Sequence, residues 1–211
     1  MKVKVSTKET IIEAAISLFN IQGYDGTSIR DIAKKAKVNP ANISYYFEGK
    51  QGLLEKCLVL FFEAYLTYLE EEVSLLAYER PDYCLKRAVY KILSFQSNNH
   101  LLSRLVWREV SLDSQIVREI TSSYLMKERF LYKKLIEAAI QENTYSISDI
   151  SFLIIQLKSL LTMPFLNGQY LREVWNIFPQ DRYFVEKYYQ HIDDWIDAGL
   201  LQKTKMVNIP I

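Results

Sequence analysis

The stretch that most constrains this chain covers residues 27–50, TSIRDIAKKAKVNPANISYYFEGK. It predicts two short helices separated by a tight turn and followed by a basic residue. Ser28 and Asp31 have the spacing of a capping box at the start of the first helix. Asn39 is suited to cap the second helix, and Pro40 suits its first position, where a missing N–H costs nothing. We therefore predict a helix–turn–helix.

The second of these helices is predicted to keep one polar face in solvent. Ile43 and Phe47 lie one turn apart, so they face inward together with Val38. A helix of this kind fits the DNA major groove, where its first turn reaches base edges. The outward residues, which are small or form hydrogen bonds, are Pro40, Ala41, Asn42, Ser44 and Tyr45.

A wider pattern surrounds this motif, from about residue 7 to residue 54. Its residues are Ile12, Ala15, Leu18, Phe19, Gly23, Tyr24, Gly26, Thr27, Ser28, Arg30, Asp31, Ile32, Ala33, Ala36, Val38, Ile43, Tyr46, Phe47, Lys50, Leu53 and Leu54. In this pattern the chain resembles the DNA-binding domain of TetR-type bacterial transcriptional regulators. Ser44 departs from this pattern, because many members carry a tyrosine at that position. We therefore assign Ser44 none of the DNA contacts that such a tyrosine makes.

The resemblance implies an all-α fold of nine to ten helices, with a helix–turn–helix head at residues 1–50 and a helical dimerisation and regulatory body at 51–211. It also implies a homodimer that binds a palindromic operator in double-stranded DNA. Further contacts follow residue by residue. We expect Arg30 to reach a base edge or phosphate, Thr27 and Ser28 to donate to phosphate, and Tyr46 and Lys50 to contact phosphate, with Asn39 beside them at the helix start. For Tyr46, packing against the first helix is an equal alternative.

Three further stretches resemble the RefZ-type, sporulation-associated branch of that family. They are ISYYFEGKQGLLE at 43–55, WREVSLDSQIVREITSSYLMKE at 107–128 and QLKSLLTMP at 156–164. This likeness implies a role in division-septum control near the chromosome origin, and a cell-division protein as partner. A charged docking face is predicted at Arg104, Arg108, Glu109, Arg118 and Glu119. The alternative is ordinary surface ion pairing, which contributes little.

Two further features of the body follow from the family resemblance. Many TetR-type proteins bind a small-molecule effector there, and the candidate lining is Phe61, Tyr65, Phe95, Trp107 and Tyr124; plain core packing is the alternative. A small-molecule-responsive repressor is therefore an alternative function. The dimer seam is expected on the helices near 148–163 and 181–199, the alternative being packing within one subunit. Its expected residues are Ile154, Leu157, Leu160, Leu161, Tyr188, Ile192 and Trp195.

The rest of the chain also reads as helical, without lasting strand-like alternation. The first helix is expected at 7–22, ending at Gly23 in a left-handed cap. Pro164 and the Asn167-Gly168 pair are expected to end or kink a helix. The helices after the motif are expected near 51–78, 82–97, 101–110, 114–142, 148–163, 169–178 and 181–200.

Charge and composition agree with a DNA-binding head. Residues 1–56 carry nine Lys and Arg against six Asp and Glu, whereas the remainder carries 17 against 19. A basic arm with Lys2 and Lys4 is expected to be solvated or to touch DNA. Cys57 and Cys84 are expected to be reduced, packed thiols.

Other classes of protein lack support in the sequence. No nucleophile–base set, metal-ligand spacing or phosphate-binding glycine loop is evident, so we expect neither an enzyme nor a cofactor or metal. His100 and His191 are too far apart in sequence to suggest a metal site. No apolar run approaches the roughly 20 residues of a membrane span. A cytoplasmic, nucleoid-associated protein without membrane contact is expected, and an interaction adaptor with a vestigial head is the remaining alternative.

Overall fold

The computed structural model describes residues 6–143 and 149–201, and its regular structure there is entirely helical, which confirms the predicted all-α class. The basic arm with Lys2 and Lys4, and residues 144–146, lie outside the described residues. In chain order the helices are α1 (Thr7–Gln22), α2 (Ile29–Ala36), α3 (Pro40–Phe47), α4 (Lys50–Ser74), α5 (Pro81–Asn98), α6 (His100–Leu112), α7 (Gln115–Asn143), α8 (Ile150–Leu166), α9 (Gly168–Trp175) and α10 (Arg182–Leu201).

The starts of the first three helices are set by local caps. The Ser28 side chain accepts from the Asp31 N–H, and Asp31 accepts from the Ser28 N–H in return, so the predicted capping box is confirmed. Hydrogen bonds from the Ser28 hydroxyl and main chain lower the pKa of Asp31. Asn39 caps α3 through its side-chain oxygen, which accepts from the Ala41 N–H at 2.9 Å. Helix α1 begins with the same reciprocal bonding between Ser6 and Glu9.

The turns between these helices use positive φ angles. Gly23 has φ 78° and ψ 166°, so it ends α1 with a positive φ but outside the left-handed helical conformation that we expected. Lys37 after α2 and Glu48 after α3 do adopt that conformation, with φ 56° and 59°. Gly52 is required for a different reason, which is lack of space. A Cβ at this position would lie 1.9 Å from the Phe47 carbonyl oxygen.

The chain forms two compact units. The first contains the residues up to 63 together with 99–122, so α4 and α7 are each divided between the units. In the first unit α1 packs on α2 and α6, and α2 packs on α3. The functional boundary expected between residues 50 and 51 is not tested by this grouping and stays a prediction.

The second unit has its own core, with α5, α8 and α10 in mutual contact. Tyr65 and Tyr132 are fully buried, and their hydroxyl groups are 2.9 Å apart. Glu72 is also buried, and its carboxylate accepts from Arg87 and pairs with Lys91. Burial opposes ionisation of Glu72, but these basic partners outweigh it and lower its pKa.

Helix α8 continues through Pro164 to Leu166, beyond the end expected near residue 163, and it stops at the Asn167-Gly168 pair, as predicted. A proline inside a helix leaves the carbonyl four residues earlier without its usual N–H donor. That carbonyl belongs to Leu160, and the Tyr188 hydroxyl donates to it at 2.9 Å. The missing bond is thus replaced by a side chain of α10. Helices α4 and α9 end earlier than expected, at Ser74 and Trp175.

Part of the predicted dimer seam packs inside a single subunit. Leu157, Leu161 and Ile192 are buried in the isolated chain, so the prediction for these three is wrong. Ile154, Leu160, Tyr188 and Trp195 are half-buried. The apolar side chains that α8 exposes are instead Phe152, Ile155 and Met163.

The two cysteines lie inside the fold. Cys57 and Cys84 are both unpaired and buried, as predicted, and burial raises the pKa of Cys57 to about 12. Among the described residues no single helix is long and apolar enough to cross a membrane. Helices α8 and α9 would reach that length only as a pair, and they meet at a bend of 71°.

Candidate nucleic-acid interface

Helix α3 presents the face that the sequence predicts. Ile43 is fully buried and Phe47 is 7% exposed, whereas Tyr45 on the opposite side is 82% exposed. Val38 and Asn42 are half-buried. Of the residues predicted to face outward, Pro40, Ala41 and Ser44 are exposed as well. A short amphipathic helix with a solvent-facing first turn is the geometry that a major-groove reader needs.

The start of α3 is held by two hydrogen bonds to Asn39. Asn39 is exposed, but its side-chain oxygen already accepts from Ala41. Its main-chain carbonyl accepts from the Asn42 N–H at 2.9 Å. Asn39 therefore caps the first turn of α3, and its contact with DNA stays a prediction.

Tyr46 contacts the first helix, as one of the two alternatives expects, and its phosphate contact stays a prediction. Its side chain is 37% exposed, and the ammonium of Lys8 in α1 lies 5.2 Å from the centre of its ring. The Tyr45 and Tyr46 rings meet edge to face at 5.0 Å. Tyr46 thus touches α1 and still reaches solvent. Lys8 was not predicted, because it lies 38 residues from Tyr46 and only folding brings them together.

Lys50 is the first residue of α4, where the backbone N–H groups of a helix lack helical acceptors and favour an anion. Its ammonium donates to the main-chain carbonyl of Tyr24 at 3.0 Å and lies 4.4 Å from the centre of the Tyr24 ring. Gly49 precedes it with φ 108°. The predicted phosphate contact therefore combines a helix N-terminus with a cation whose position is already held.

At the start of α2, the contacts predicted for Arg30 and Ser28 stay predictions, and the one predicted for Thr27 is corrected. Arg30 and Ser28 are exposed at the start of this helix. Thr27 is 1% exposed, and its hydroxyl donates to the Gly23 carbonyl at 2.7 Å. This corrects the expectation for Thr27, since its hydroxyl is used inside the turn and does not face a phosphate.

Helix α6 is joined to the end of α1 by two side chains that were not assigned this role. Asn20 donates to the Leu101 carbonyl at 2.8 Å, and Arg108 donates to the Phe19 carbonyl at 2.9 Å. Arg108 also pairs with Glu109, which is 5% exposed.

These contacts correct the predicted docking face. Arg108 and Glu109 form a largely internal pair, and Arg104 is half-buried. Arg118 and Glu119 are exposed, and Arg118 pairs with Asp113 at 3.2 Å. The exposed part of the predicted face is therefore reduced to the start of α7.

The aromatic residues proposed for an effector pocket are mostly packed. In the first unit Phe61 and Trp107 are buried and meet edge to face at 5.2 Å. A cleft of about 550 Å³ in that unit is lined by Tyr24 and Leu112, and not by these two rings.

In the second unit Tyr65 is buried, whereas Phe95 and Tyr124 are half-buried. The effector pocket stays a prediction. Among the described residues no group of three or more His, Cys, Asp or Glu side chains is placed to hold a metal ion.

The family model for "Bacterial regulatory proteins, tetR family" matches residues 11–57. The chain is 46% identical over 193 residues to the probable HTH-type transcriptional regulator YttP of Bacillus subtilis, covering 92% of this chain and 93% of that protein. The chain belongs to the TetR family.

Another relative matches over a shorter stretch. The biofilm operon icaADBC negative transcriptional regulator IcaR of Staphylococcus aureus is 39% identical over 56 residues, or 26% of this chain and 30% of that one. These relatives are regulators and not enzymes, and this TetR-family chain is likewise a DNA-binding transcriptional regulator.

Solved structures share the fold at low identity. PfmR of Thermus thermophilus has a TM-score of 0.73 and 18% identity, covering 95% of this chain and all of that one. KstR2 of Mycobacterium tuberculosis has a TM-score of 0.76 and 15% identity, covering 95% and 98%. At these identities the likeness establishes the fold and says nothing of ligands.

Proposed function

We propose that this TetR-family protein binds a palindromic site in double-stranded DNA as a homodimer and regulates transcription in the cytoplasm. The observation that carries the proposal is the exposed face of α3 above buried Ile43 and Phe47. A two-fold pair would place two such helices about 34–36 Å apart, one turn of duplex. A gel-shift test with duplex DNA at low salt separates this proposal from an adaptor with a vestigial head.

We assign two kinds of contact to this surface. Base reading falls to α3, where Asn42 and Ser44 supply hydrogen bonds and Ala41 supplies a methyl for thymine. Contacts with the DNA backbone are assigned to Ser28, Arg30, Tyr46 and Lys50. The full base-facing set is Pro40, Ala41, Asn42, Ser44 and Tyr45.

The two kinds of contact respond differently to mutation. Lys50→Ala is expected to weaken specific and random duplexes alike, and to reduce the slope of log affinity against log salt by about one unit. Asn42→Ala is expected to change which sequences are selected from a random pool. Lys56→Ala is the matched control, because Lys56 is an exposed lysine on the same helix and outside the proposed contacts. A change of sequence preference in Lys50→Ala would show that Lys50 is not a phosphate contact.

We place the dimer contact on the exposed apolar side chains of α8. Phe152 and Ile155 are 65% and 58% exposed, and burial of such groups against a second copy removes apolar area from water. Ile155→Glu is expected to yield monomers in analytical ultracentrifugation and to lose binding to the full palindrome. Met126→Glu, at an apolar residue of α7 that is 70% exposed, is the control that should stay dimeric. If the Ile155→Glu protein remains dimeric, the dimer contact does not include Ile155.

We also propose a RefZ-type role in division-septum control during sporulation, supported by the stretches at 43–55, 107–128 and 156–164. The partner would be a cell-division protein that meets the exposed charges at the start of α7. Arg118→Glu is expected to abolish division-ring inhibition in sporulating cells and to leave operator affinity unchanged. Arg182→Glu reverses an exposed charge outside the predicted face and is the control. Equal loss of both activities in Arg118→Glu would contradict the docking role.

A further inference from the structure

The Lys50 ammonium contacts Tyr24, which lies 26 residues earlier in the chain. We infer that Tyr24 is a positioning residue for DNA binding, which holds the Lys50 ammonium at the start of α4 before a phosphate arrives. This inference rests on the proposed function, because it takes Lys50 as a phosphate contact. Tyr24 itself needs no contact with DNA.

Tyr24 makes two different contacts with the same cation. The Lys50 ammonium donates to its main-chain carbonyl at 3.0 Å, and the ammonium lies 4.4 Å from the centre of the phenol ring. An aromatic face attracts a cation at this distance through its quadrupole. An ammonium has three N–H donors. The hydrogen bond to the carbonyl uses one, and donors remain for a phosphate oxygen.

Tyr24 is itself held in place. Its ring packs against the Phe19 ring at 5.4 Å. Its carbonyl also accepts from the Thr27 N–H at 3.2 Å, and the Thr27 hydroxyl ties the turn to Gly23. The acceptor and the ring therefore belong to a turn with fixed geometry and not to a free loop.

Holding the cation changes what binding requires. A free lysine has four flexible side-chain torsions, and ordering them opposes binding. A Lys50 side chain that already rests on Tyr24 loses less freedom when it meets a phosphate. Removing the ring should therefore lower DNA affinity even though no charge is lost.

A double-mutant cycle tests this with gel-shift affinities for one operator duplex. Tyr24→Phe keeps the ring and the carbonyl, and should bind as the unmodified protein does. Tyr24→Leu keeps the carbonyl but removes the ring that faces Lys50 and packs on Phe19, and should weaken binding about two- to fivefold, the size of an exposed cation–π contact. In the Lys50→Ala background Tyr24→Leu should cause no further loss.

The possible outcomes separate the inference from the proposed function. If Lys50→Ala leaves affinity and salt slope unchanged, the phosphate assignment fails. If Lys50→Ala weakens binding but Tyr24→Leu weakens it equally in both backgrounds, Tyr24 is merely structural and the inference is overturned.

A second measurement covers the case in which Tyr24→Leu does not fold. The ε-methylene protons of Lys50 should show an upfield ring-current shift in the NMR spectrum of the unmodified free protein. Tyr24→Phe should preserve this shift. A random-coil shift for Lys50 in the folded protein would contradict the inference.

Discussion

Gly52 in the first turn of α4 offers a sharp test of how the head is joined to that helix. A Cβ at this position would lie 1.9 Å from the Phe47 carbonyl oxygen and 3.1 Å from the Phe47 carbonyl carbon. Both are backbone atoms, so no side chain can rotate away. Gly52→Ala must therefore shift the end of α3 or the start of α4, by about 1.5 Å to restore ordinary contact.

The expected cost combines two terms. Overpacking costs about 1–3 kcal/mol, and the upper value applies because backbone must move. Alanine gains about 1 kcal/mol over glycine in helix propensity. The net loss of unfolding free energy is about 2 kcal/mol, which for a chain of this size lowers Tm by about 4–8 °C. Because Lys50 precedes Gly52 by two residues, DNA affinity should fall as well.

Differential scanning calorimetry and a gel shift measure the two effects, with Gly168→Ala as the matched control. Gly168 begins α9, and a Cβ there meets no atom within 4 Å. Its replacement should leave Tm unchanged or raise it slightly, and operator affinity should not change. A Gly52→Ala protein that melts and binds like the unmodified one would refute the close approach at Phe47.

Three further predictions concern the second unit. The pKa of Glu72 is lowered in the folded chain, so its ion pairs stabilise the fold above about pH 4.5 and are lost as pH falls through the folded pKa. Glu72→Gln should therefore be less stable at pH 7, and its stability should depend less on pH. Acid titrations followed by circular dichroism measure both effects. Tyr188→Phe should lower stability to urea by about 1 kcal/mol, and by less in a Pro164→Ala background, where a backbone N–H can donate to the Leu160 carbonyl; an equal loss in both backgrounds would contradict the replacement bond. Leu157→Ala should cost about 2–5 kcal/mol in the same assay, whereas a near-neutral result would return this residue to the dimer seam.

The local features of the head could be predicted because their causes are close together in the chain. A capping box needs residues three apart, and Asn39 and Pro40 act on the turn that they begin. The inward and outward faces of α3 follow from helical spacing alone. These are short-range effects, so the helix–turn–helix and its exposed face could be predicted from the sequence.

The dimer seam shows where spacing stops being informative. Apolar residues of α8 recur at helical intervals, but periodicity does not say which neighbour covers them. Leu157 and Leu161 are covered within the chain, whereas Phe152 and Ile155 are not. Sequence pattern marks a residue as apolar, and only packing decides what it packs against.

What the sequence by itself determined is the class of protein: an all-helical chain of the TetR family with a helix–turn–helix head. What only the tertiary structure decided are the contacts between residues far apart in the chain. Lys50 rests on Tyr24, Arg108 binds the end of α1, and Tyr188 replaces the bond that Pro164 removes. Each depends on where a distant backbone carbonyl lies after folding, and every residue carries such a carbonyl, so no residue pattern distinguishes the one that is used.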